Sequence, residues 1–132
     1  MDVIKSVAWL HIEDGKVLCV RTKGKDKFYI PGGKIDQGEK PQEALIREIR
    51  EELNLTLCEE SISPAVTIIA DAHGFDNAQV EMQCYFASHT GSIAVNSEIE
   101  EIRWVGSEYL QSCAPAAQKA IEFLASQQKI FI

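Results

Sequence analysis

The sequence predicts an α/β protein in which a mixed β-sheet packs between helices, and three observations indicate this. Apolar, β-branched segments of strand length recur along the chain, two further segments have helical periodicity, and together they follow the order β-β-β-α-β-β-β-α. The third observation is size: 132 residues, 45% of them hydrophobic and 25% charged, fit one domain (residues 1–132) with an ordinary core.

The first three strands are predicted before residue 34. Residues 3 to 12 and 16 to 22 are apolar and β-branched, and the Glu13-Asp14-Gly15 sequence between them is typical of a hairpin turn. A shorter strand, Phe28-Tyr29-Ile30, is followed by Pro31-Gly32-Gly33, which ends it because proline and glycine interrupt regular pairing. We therefore expect a hairpin, a short strand and a tight loop.

The rest of the chain predicts two helices and three more strands. The first helix starts at Pro41, and its apolar residues recur at three- and four-residue spacing: Ala44, Leu45, Ile49 and Leu53. Strands are expected over residues 65 to 70, 79 to 88 and 99 to 106. A second helix over residues 115 to 126 carries an apolar stripe of Ala117, Ala120, Ile121 and Leu124.

Composition and charge exclude several classes of protein. The net charge is −7, from 20 acidic and 13 basic residues, which disfavours a nucleic-acid partner. No apolar run approaches the roughly 20 residues of a membrane-spanning helix, so no membrane partner is expected. The N-terminal residues lack a basic leader and a cleavage site, which favours the cytoplasm. The four cysteines form no Cys-x-x-Cys pair and are expected to be reduced.

Residues 33 to 55 combine a glycine-containing loop with the predicted first helix and carry a dense group of acids. Glu48, Glu51 and Glu52 stand at positions i, i+3 and i+4, so their carboxylates share one helix face, where like charges repel. A solvated acidic face is one interpretation. A divalent cation is the stronger candidate to offset the repulsion, because Mg²⁺, with Mn²⁺ as a substitute, takes oxygen ligands from a few carboxylates and from substrate phosphates.

The spacing of the whole segment resembles the Nudix box. That box reads glycine, five residues, glutamate, seven residues, Arg-Glu, an aliphatic residue, any residue, Glu-Glu, any residue, glycine and an aliphatic residue. Eight of its nine specified positions match, running from Gly33 through Glu39 and Arg47 to Leu55. The departure is Asn54, which stands where the family has glycine. Asparagine is the next-best residue for the left-handed conformation that ends a helix, so we expect the acidic face to persist.

The resemblance, which is to the MutT-type members, implies the Nudix α/β/α sandwich and hydrolysis of a nucleoside diphosphate linked to another group. It implies that Glu48 and Glu52 bind the metal ion, with Glu51 as a third or water-mediated ligand and the backbone carbonyl of Gly32 as a loop ligand. It also implies a role for Glu98, six residues before Trp104, as general base or final ligand; the sequence leaves both open.

The same resemblance gives a framework role to two further charged residues of the box. Arg47 would orient the loop through Glu39, so that both position the catalytic groups and neither touches the substrate.

Substrate recognition depends on less specific signals. Arg21, Lys23 and Lys34 are candidates to meet phosphates, and Phe75 to stack on a base, although aromatic residues are more often core. MutT-type enzymes read an oxidised purine with an asparagine near the start of the last helix, where this chain offers Gln118. His73 and His89 have no partner at metal-ligand spacing and are read as ordinary surface or turn residues.

The leading hypothesis is a Mg²⁺-dependent pyrophosphohydrolase that cleaves a nucleoside triphosphate, or a similar small nucleotide, to a nucleoside monophosphate and pyrophosphate. The alternatives are an ADP-sugar or dinucleotide pyrophosphatase and a catalytically silent binding module of the same fold. The expected partner is a small nucleotide substrate, and the protein is expected to be a monomer or a homodimer.

Overall fold

The computed structural model of the chain describes residues 2–130. Two helices, α1 (Pro41–Leu53) and α2 (Pro115–Ser126), accompany the strands, and short 3-10 helices lie at Glu59–Ser61 and Ser107–Ser112. The strands are β1 (Asp2–Trp9), β2 (Ile12–Glu13), β3 (Lys16–Thr22), β4 (Gly32–Lys34), β5 (Thr56–Leu57), β6 (Ser63–Asp71), β7 (Ala78–Phe86), β8 (His89–Thr90) and β9 (Ile99–Val105).

The strands form a mixed sheet and two smaller antiparallel sheets. The mixed sheet has the order β4-β1-β7-β6, in which β1 runs parallel to β7 and the other two pairs are antiparallel. The second sheet has the order β2-β3-β9, and β5 pairs with β8. The mixed sheet between helices that the sequence predicts is therefore confirmed.

Side chains on the two faces of the strands pack against different helices, which divides the core into two clusters. On β1, Val7 and Trp9 pack in one cluster with Leu45 of α1, whereas Ala8 and the following Leu10 pack in another with Leu124 of α2. Successive side chains of a strand point to opposite faces, so one strand supplies both layers of core. On β3 the same division places Leu18 and Val20 on the α1 side and Val17 and Cys19 on the α2 side. This arrangement is the α/β/α sandwich.

Both helices begin where the sequence predicts them, at Pro41 and Pro115. Asn54 ends α1 with φ 58° and ψ 34°, and its backbone N–H donates to the carbonyl of Arg50 at 3.0 Å. This is the left-handed position that glycine usually fills, so the expectation for the departing box residue is confirmed.

The first predicted hairpin needs correction. Residues 3 to 12 are not one strand, because β1 ends at Trp9 and β2 begins at Ile12. The two pieces belong to different sheets, and only the short β2 pairs with β3 around the turn. Apolar content identified the strands, but it carries no information about the change of sheet at residues 10 and 11.

The segment around Pro31 also differs from the prediction. Phe28 and Tyr29 make isolated bridges, to Cys113 and Val20, in place of a strand. The predicted loop contains β4, whose Gly32 pairs with Ala8 at a φ of 149°. A Cβ at Gly32 would collide with the carbonyl oxygen of Val7. Glycine is therefore the residue that lets these two backbones approach.

The cysteines are free thiols: Cys19, Cys84 and Cys113 are buried and Cys58 is exposed. Over residues 2–130, neither helix has the length and apolar character that a membrane crossing requires.

Candidate active site

A cavity of about 500 Å³ lies where α1, β4 and the start of β9 meet. Seven of the residues singled out in the sequence line it: Gly32, Lys34, Glu48, Glu51, Glu52, Phe75 and Glu98. Five of them lie in the Nudix-like box or directly before it, and Phe75 and Glu98 come from two distant stretches, so folding gathers the predicted residues around one space.

Glu48 and Glu52, one helical turn apart on α1, form the acidic wall of this cavity. Burial, together with a hydrogen bond to Glu48 and repulsion from its charge, raises the pKa of Glu52 to about 9. The backbone of Gly32 also hydrogen-bonds Glu52 and opposes this rise in pKa. A Cβ on Gly33 would lie only 2.5 Å from the carboxyl carbon of Glu48. The glycine thus leaves room for that carboxylate against the loop backbone.

Arg47 connects the helix to the loop that precedes it. Its Nε and Nη2 donate to the two carboxylate oxygens of Glu39 at 2.8 and 2.9 Å, and its Nη1 donates to Oε1 of Glu48 at 2.8 Å. The loop is fixed further by Lys34, whose carbonyl accepts from Arg47 at 3.2 Å, and by Asp36, whose backbone N–H donates to Glu39 at 3.0 Å.

These contacts shift the pKa values of both partners in the directions that favour their charged forms. The Arg47 guanidinium lowers the pKa of Glu39 to about 2, and the hydrogen bond to Glu39 raises the pKa of Arg47. The bidentate pair therefore stays ionised throughout the pH range in which such proteins work.

Glu98 is held at the cavity by Asn96, a residue that the sequence analysis does not single out. The backbone N–H of Glu98 donates to Oδ1 of Asn96 at 2.8 Å, and Nδ2 of Asn96 donates to the carbonyl of Glu51 at 2.7 Å. The backbone N–H of Asn96 also donates to the carbonyl of Glu52 at 3.2 Å. Asn96 therefore joins the last turn of α1 to the residue before β9. This contact spans more than 40 positions, which local spacing cannot reveal.

The donor set around Glu48 and Glu52 fits a hard divalent cation. It consists of oxygens, and the wall of the cavity carries five acidic residues, Glu48, Glu51, Glu52, Asp71 and Glu98, against two lysines, Lys25 and Lys34. Hard divalent cations take oxygen ligands from such carboxylates and from water and substrate phosphates.

Five predicted residues lie outside the lining of the cavity: Arg21, Lys23, Glu39, Arg47 and Gln118. Arg21 contacts Oε1 of Glu101 at 3.3 Å. Lys23 donates its backbone N–H to the carbonyl of Glu98 at 2.8 Å. Gln118 donates its side-chain amide to the carbonyl of Cys113 at 2.9 Å. Glu39, held by Arg47, likewise lies in the supporting loop.

The cavity lining includes His73, to which the sequence analysis gave no role, and Phe75, the candidate to stack on a base. His73 bonds Asp26 through Nε2 at 2.8 Å, and its ring lies 6.3 Å from that of Tyr29. Phe75, two residues further along the same loop, is 61% exposed. Apolar residues from β1, β3, β7 and the segment before β4 line the interior: Ile4, Val20, Ile30, Val80 and Met82.

Comparison with known proteins agrees with this geometry. The NUDIX domain family model matches residues 4–127. A stretch of 43 residues is 46% identical to an RNA pyrophosphohydrolase of Halorhodospira halophila and covers 33% of this chain and 24% of that protein. The uncharacterized Nudix hydrolase YvcI of Bacillus subtilis is 26% identical over 118 residues, which cover 87% of this chain and 75% of the relative. The chain thus spans about a quarter of the first relative's length and three quarters of the second's.

A solved structure shows the same architecture. The crystal structure of the MutT NUDIX hydrolase from Burkholderia pseudomallei superposes with a TM-score of 0.76 at 21% identity, covering 94% of this chain and 99% of that one. The chain belongs to the Nudix family. Membership of this family and the carboxylates of α1 in the cavity together support the assignment as a hydrolase that acts on a pyrophosphate bond.

Proposed function

We propose that the protein is a Mg²⁺-dependent pyrophosphohydrolase that cleaves a nucleoside triphosphate, or a similar small nucleotide, to a nucleoside monophosphate and pyrophosphate. The observation that carries this proposal is the Glu48–Glu52 pair on the wall of the cavity. A buried carboxylate beside another carboxylate is costly, and a divalent cation offsets that cost while neutralising a polyphosphate.

The metal-binding residues in this proposal are Glu48 and Glu52, with the backbone carbonyl of Gly32 and with Glu51 as a third or water-mediated ligand. A bound Mg²⁺ supplies charge neutralisation at the phosphates and lowers the pKa of a coordinated water. Mn²⁺ has the same preference for oxygen and serves as a substitute.

The chain's own groups hold and position the reacting parts. Glu98, fixed through Asn96, offers a carboxylate that accepts a proton from the attacking water or completes the metal site. Arg47 is a positioning residue, since its bonds to Glu39 and Glu48 hold loop and helix together. Without this connection, the loop at Lys34 and Glu39 would no longer be fixed against the start of the carboxylate face of α1.

The lining of the cavity favours a nucleotide. Lys34 and Lys25 provide cations for phosphates, the apolar interior provides a surface for a base, and Phe75 stands at the rim where it can stack on that base. Arg21 and Lys23 contribute to the field around the phosphates without lining the cavity. The side-chain amide of Gln118 is engaged with Cys113, so we expect only modest discrimination between 8-oxo-dGTP and dGTP.

Two alternatives remain to be distinguished from this proposal. An ADP-sugar or dinucleotide pyrophosphatase would use the same carboxylates with a different binding pocket. A catalytically silent binding module would have no use for the crowded carboxylate pair, whose retention argues against it.

A substrate panel tests the proposal. The values of kcat/KM for dGTP, 8-oxo-dGTP, dCTP and ADP-ribose are measured with Mg²⁺, and the products are identified. We expect a triphosphate to be the best substrate and pyrophosphate to be released. The preference for the triphosphate should weaken as the salt concentration rises. ADP-ribose as the best of the four would contradict the triphosphate assignment, and turnover of none of them would favour the silent module.

Thermal denaturation tests the metal site separately. Millimolar Mg²⁺ should raise the Tm of the wild-type protein by mass action, whereas NaCl at equal ionic strength should not. Glu48→Gln should lose this Mg²⁺-specific shift. Equal shifts with both salts would indicate a solvated acidic face.

A further inference from the structure

A second cluster of metal-ligand side chains lies away from the cavity, at the far ends of β1 and β9. It consists of His11, Glu13 and His89, and one ligand atom of each lies within 4.8 Å of the others. His11 contacts Trp104 with ring centres 5.7 Å apart, whereas Glu98 of the candidate active site precedes the other end of β9. Six residues of extended strand separate Glu98 from Trp104, or roughly 20 Å.

Ring contacts with neighbouring residues hold the two imidazole rings in place. His11 stacks on Trp9 with ring centres 4.4 Å apart, and His89 meets His11 edge-on at 5.0 Å and Trp9 at 5.5 Å. The indole N–H of Trp9 donates to the carbonyl of Ala87 at 3.0 Å, which fixes β1 to the segment just before His89. The rings are therefore placed before any ligand arrives, which is the main requirement of a metal site.

A second observation points to a ligand. Nδ1 of His89 is buried and, among residues 2–130, has no hydrogen-bond partner. A buried polar nitrogen without a partner is costly and rare in folded proteins. Nε2 of His11 lies 2.8 Å from Oε2 of Glu13, so the possible metal-ligand atoms of these two residues already lie close together. Glu13 is 55% exposed and leaves the cluster open to solvent on one side.

We propose that His11, Glu13 and His89 bind a divalent transition-metal ion of the Zn²⁺ type, distinct from the Mg²⁺ of the active site. Two imidazoles and one carboxylate are ligands that Zn²⁺, Ni²⁺ and Co²⁺ take readily and that Mg²⁺ disfavours. Glu13 lies on β2 and His89 on β8, strands of two different sheets, and His11 lies in the link between β1 and β2. The ion ties these sheets together and stabilises the end of the molecule opposite the cavity.

The chain carries its own reporter for this site, because it has two tryptophans and both contact His11. Ni²⁺ bound at the cluster should quench their fluorescence saturably, and Zn²⁺ should compete with it. The experiment uses the full chain carrying Glu48→Gln, Glu52→Gln and Cys58→Ser, so that neither the catalytic carboxylates nor the exposed thiol bind the probe.

We expect one equivalent of Zn²⁺ and a Zn²⁺-dependent rise in Tm in this background. His11→Gln and His89→Gln should each weaken binding at least tenfold, whereas the matched control His73→Gln should leave it unchanged. Glu13 is exposed, so Glu13→Gln should leave the fold intact and weaken Zn²⁺ binding severalfold. This variant tests the site even where a histidine variant fails to fold. Absence of saturable quenching, or equal affinity in Glu13→Gln and the parent, would overturn the proposal.

The failure of this inference is distinguishable from failure of the proposed function. In the otherwise wild-type chain, His89→Gln should keep Mg²⁺-dependent hydrolysis at the wild-type rate, because the cluster lies outside the cavity. A large loss of kcat in a folded His89→Gln protein would contradict the separation of the two sites.

Discussion

The helices α1 and α2 each begin at a proline, have 13 and 12 residues, and pack on opposite faces of the strands. Each buries an apolar stripe, which includes Leu45 in α1 and Leu124 in α2. They differ in the faces turned away from the core. On α1 the side chain of Arg47 bonds the loop and Glu48, and the backbone carbonyl of Glu51 accepts from Asn96. On α2 the side chains of Gln118 and Lys119 donate to the backbone carbonyls of Cys113 and Ile69.

This difference shows that the same helical periodicity supports two purposes. The apolar stripe determines where a helix docks, and it is as regular in α2 as in α1. The chemistry depends on the remaining positions. In α1 these include Glu48 and Glu52, which line the cavity, whereas no acidic residue of α2 lines it. Substitutions at equivalent places on the two helices should therefore separate stability from activity.

The largest effect is expected from truncating the buried leucines. Leu45→Ala and Leu124→Ala should each lower the free energy of unfolding by about 2–5 kcal/mol, because both side chains are fully buried and leave a cavity. Urea denaturation measures the change. In the folded fraction, only Leu45→Ala should raise the Mg²⁺ concentration needed for half-maximal activity. An equal rise in this Mg²⁺ concentration in Leu124→Ala would contradict the proposal that α1 alone supports the metal site.

The next effect is expected at Glu52. Glu52→Gln should lower kcat by at least about a hundredfold, since a neutral amide is a poor ligand for a hard cation. The matched substitution on α2, Glu122→Gln, should leave kcat unchanged. Without divalent ions the Tm of Glu52→Gln should stay near that of the wild type, because the raised pKa of about 9 already keeps this carboxyl neutral at pH 7. Full activity at saturating Mg²⁺ would remove Glu52 from the metal site.

How far the sequence predicts these regions depends on the distance between contacting residues. The carboxylates of α1 share one helix turn, so spacing alone predicts that they lie together. Both helices follow from apolar periodicity, and the left-handed end at Asn54 follows from the properties of asparagine.

The contacts that the sequence misses are formed by the tertiary fold. Asn96 reaches Glu51 across 45 positions, and His89 reaches His11 across 78, so neither pair leaves a local pattern. His89, which the sequence indicates as an ordinary surface or turn residue, lies on β8 with its ring edge-on to that of His11. The parallel pairing of β1 with β7 and the change of sheet after Trp9 are set by packing on both faces at once, which apolar content does not encode.

An intermediate effect is expected from acid. Arg47 lowers the folded-state pKa of Glu39 to about 2 from the usual 4.5. A lowered carboxyl pKa contributes stability that is present above the unfolded value and is lost as pH falls through the folded value. Between pH 4.5 and 2 the wild type should therefore lose more stability than Glu39→Gln, which is less stable than the wild type at pH 7. Denaturation midpoints across this range measure it, and an equal loss of stability in the two proteins would contradict the role given to the Arg47–Glu39 pair.

The smallest effect is expected where the two helices end. Asn54 after α1 and Gln128 after α2 both have positive φ values, 58° and 57°. A side chain with a Cβ costs roughly 1–2 kcal/mol in this conformation, but asparagine recovers part of that through local hydrogen bonding and glutamine does not. Glycine removes the cost while adding freedom to the unfolded chain, which offsets part of the gain. Gln128→Gly should therefore stabilise the protein by up to about 1 kcal/mol, and Asn54→Gly should stabilise it less, with kcat unchanged in both. Differential scanning calorimetry resolves the two shifts, and a larger gain from Asn54→Gly would mean that asparagine is a poor substitute at the end of the box helix.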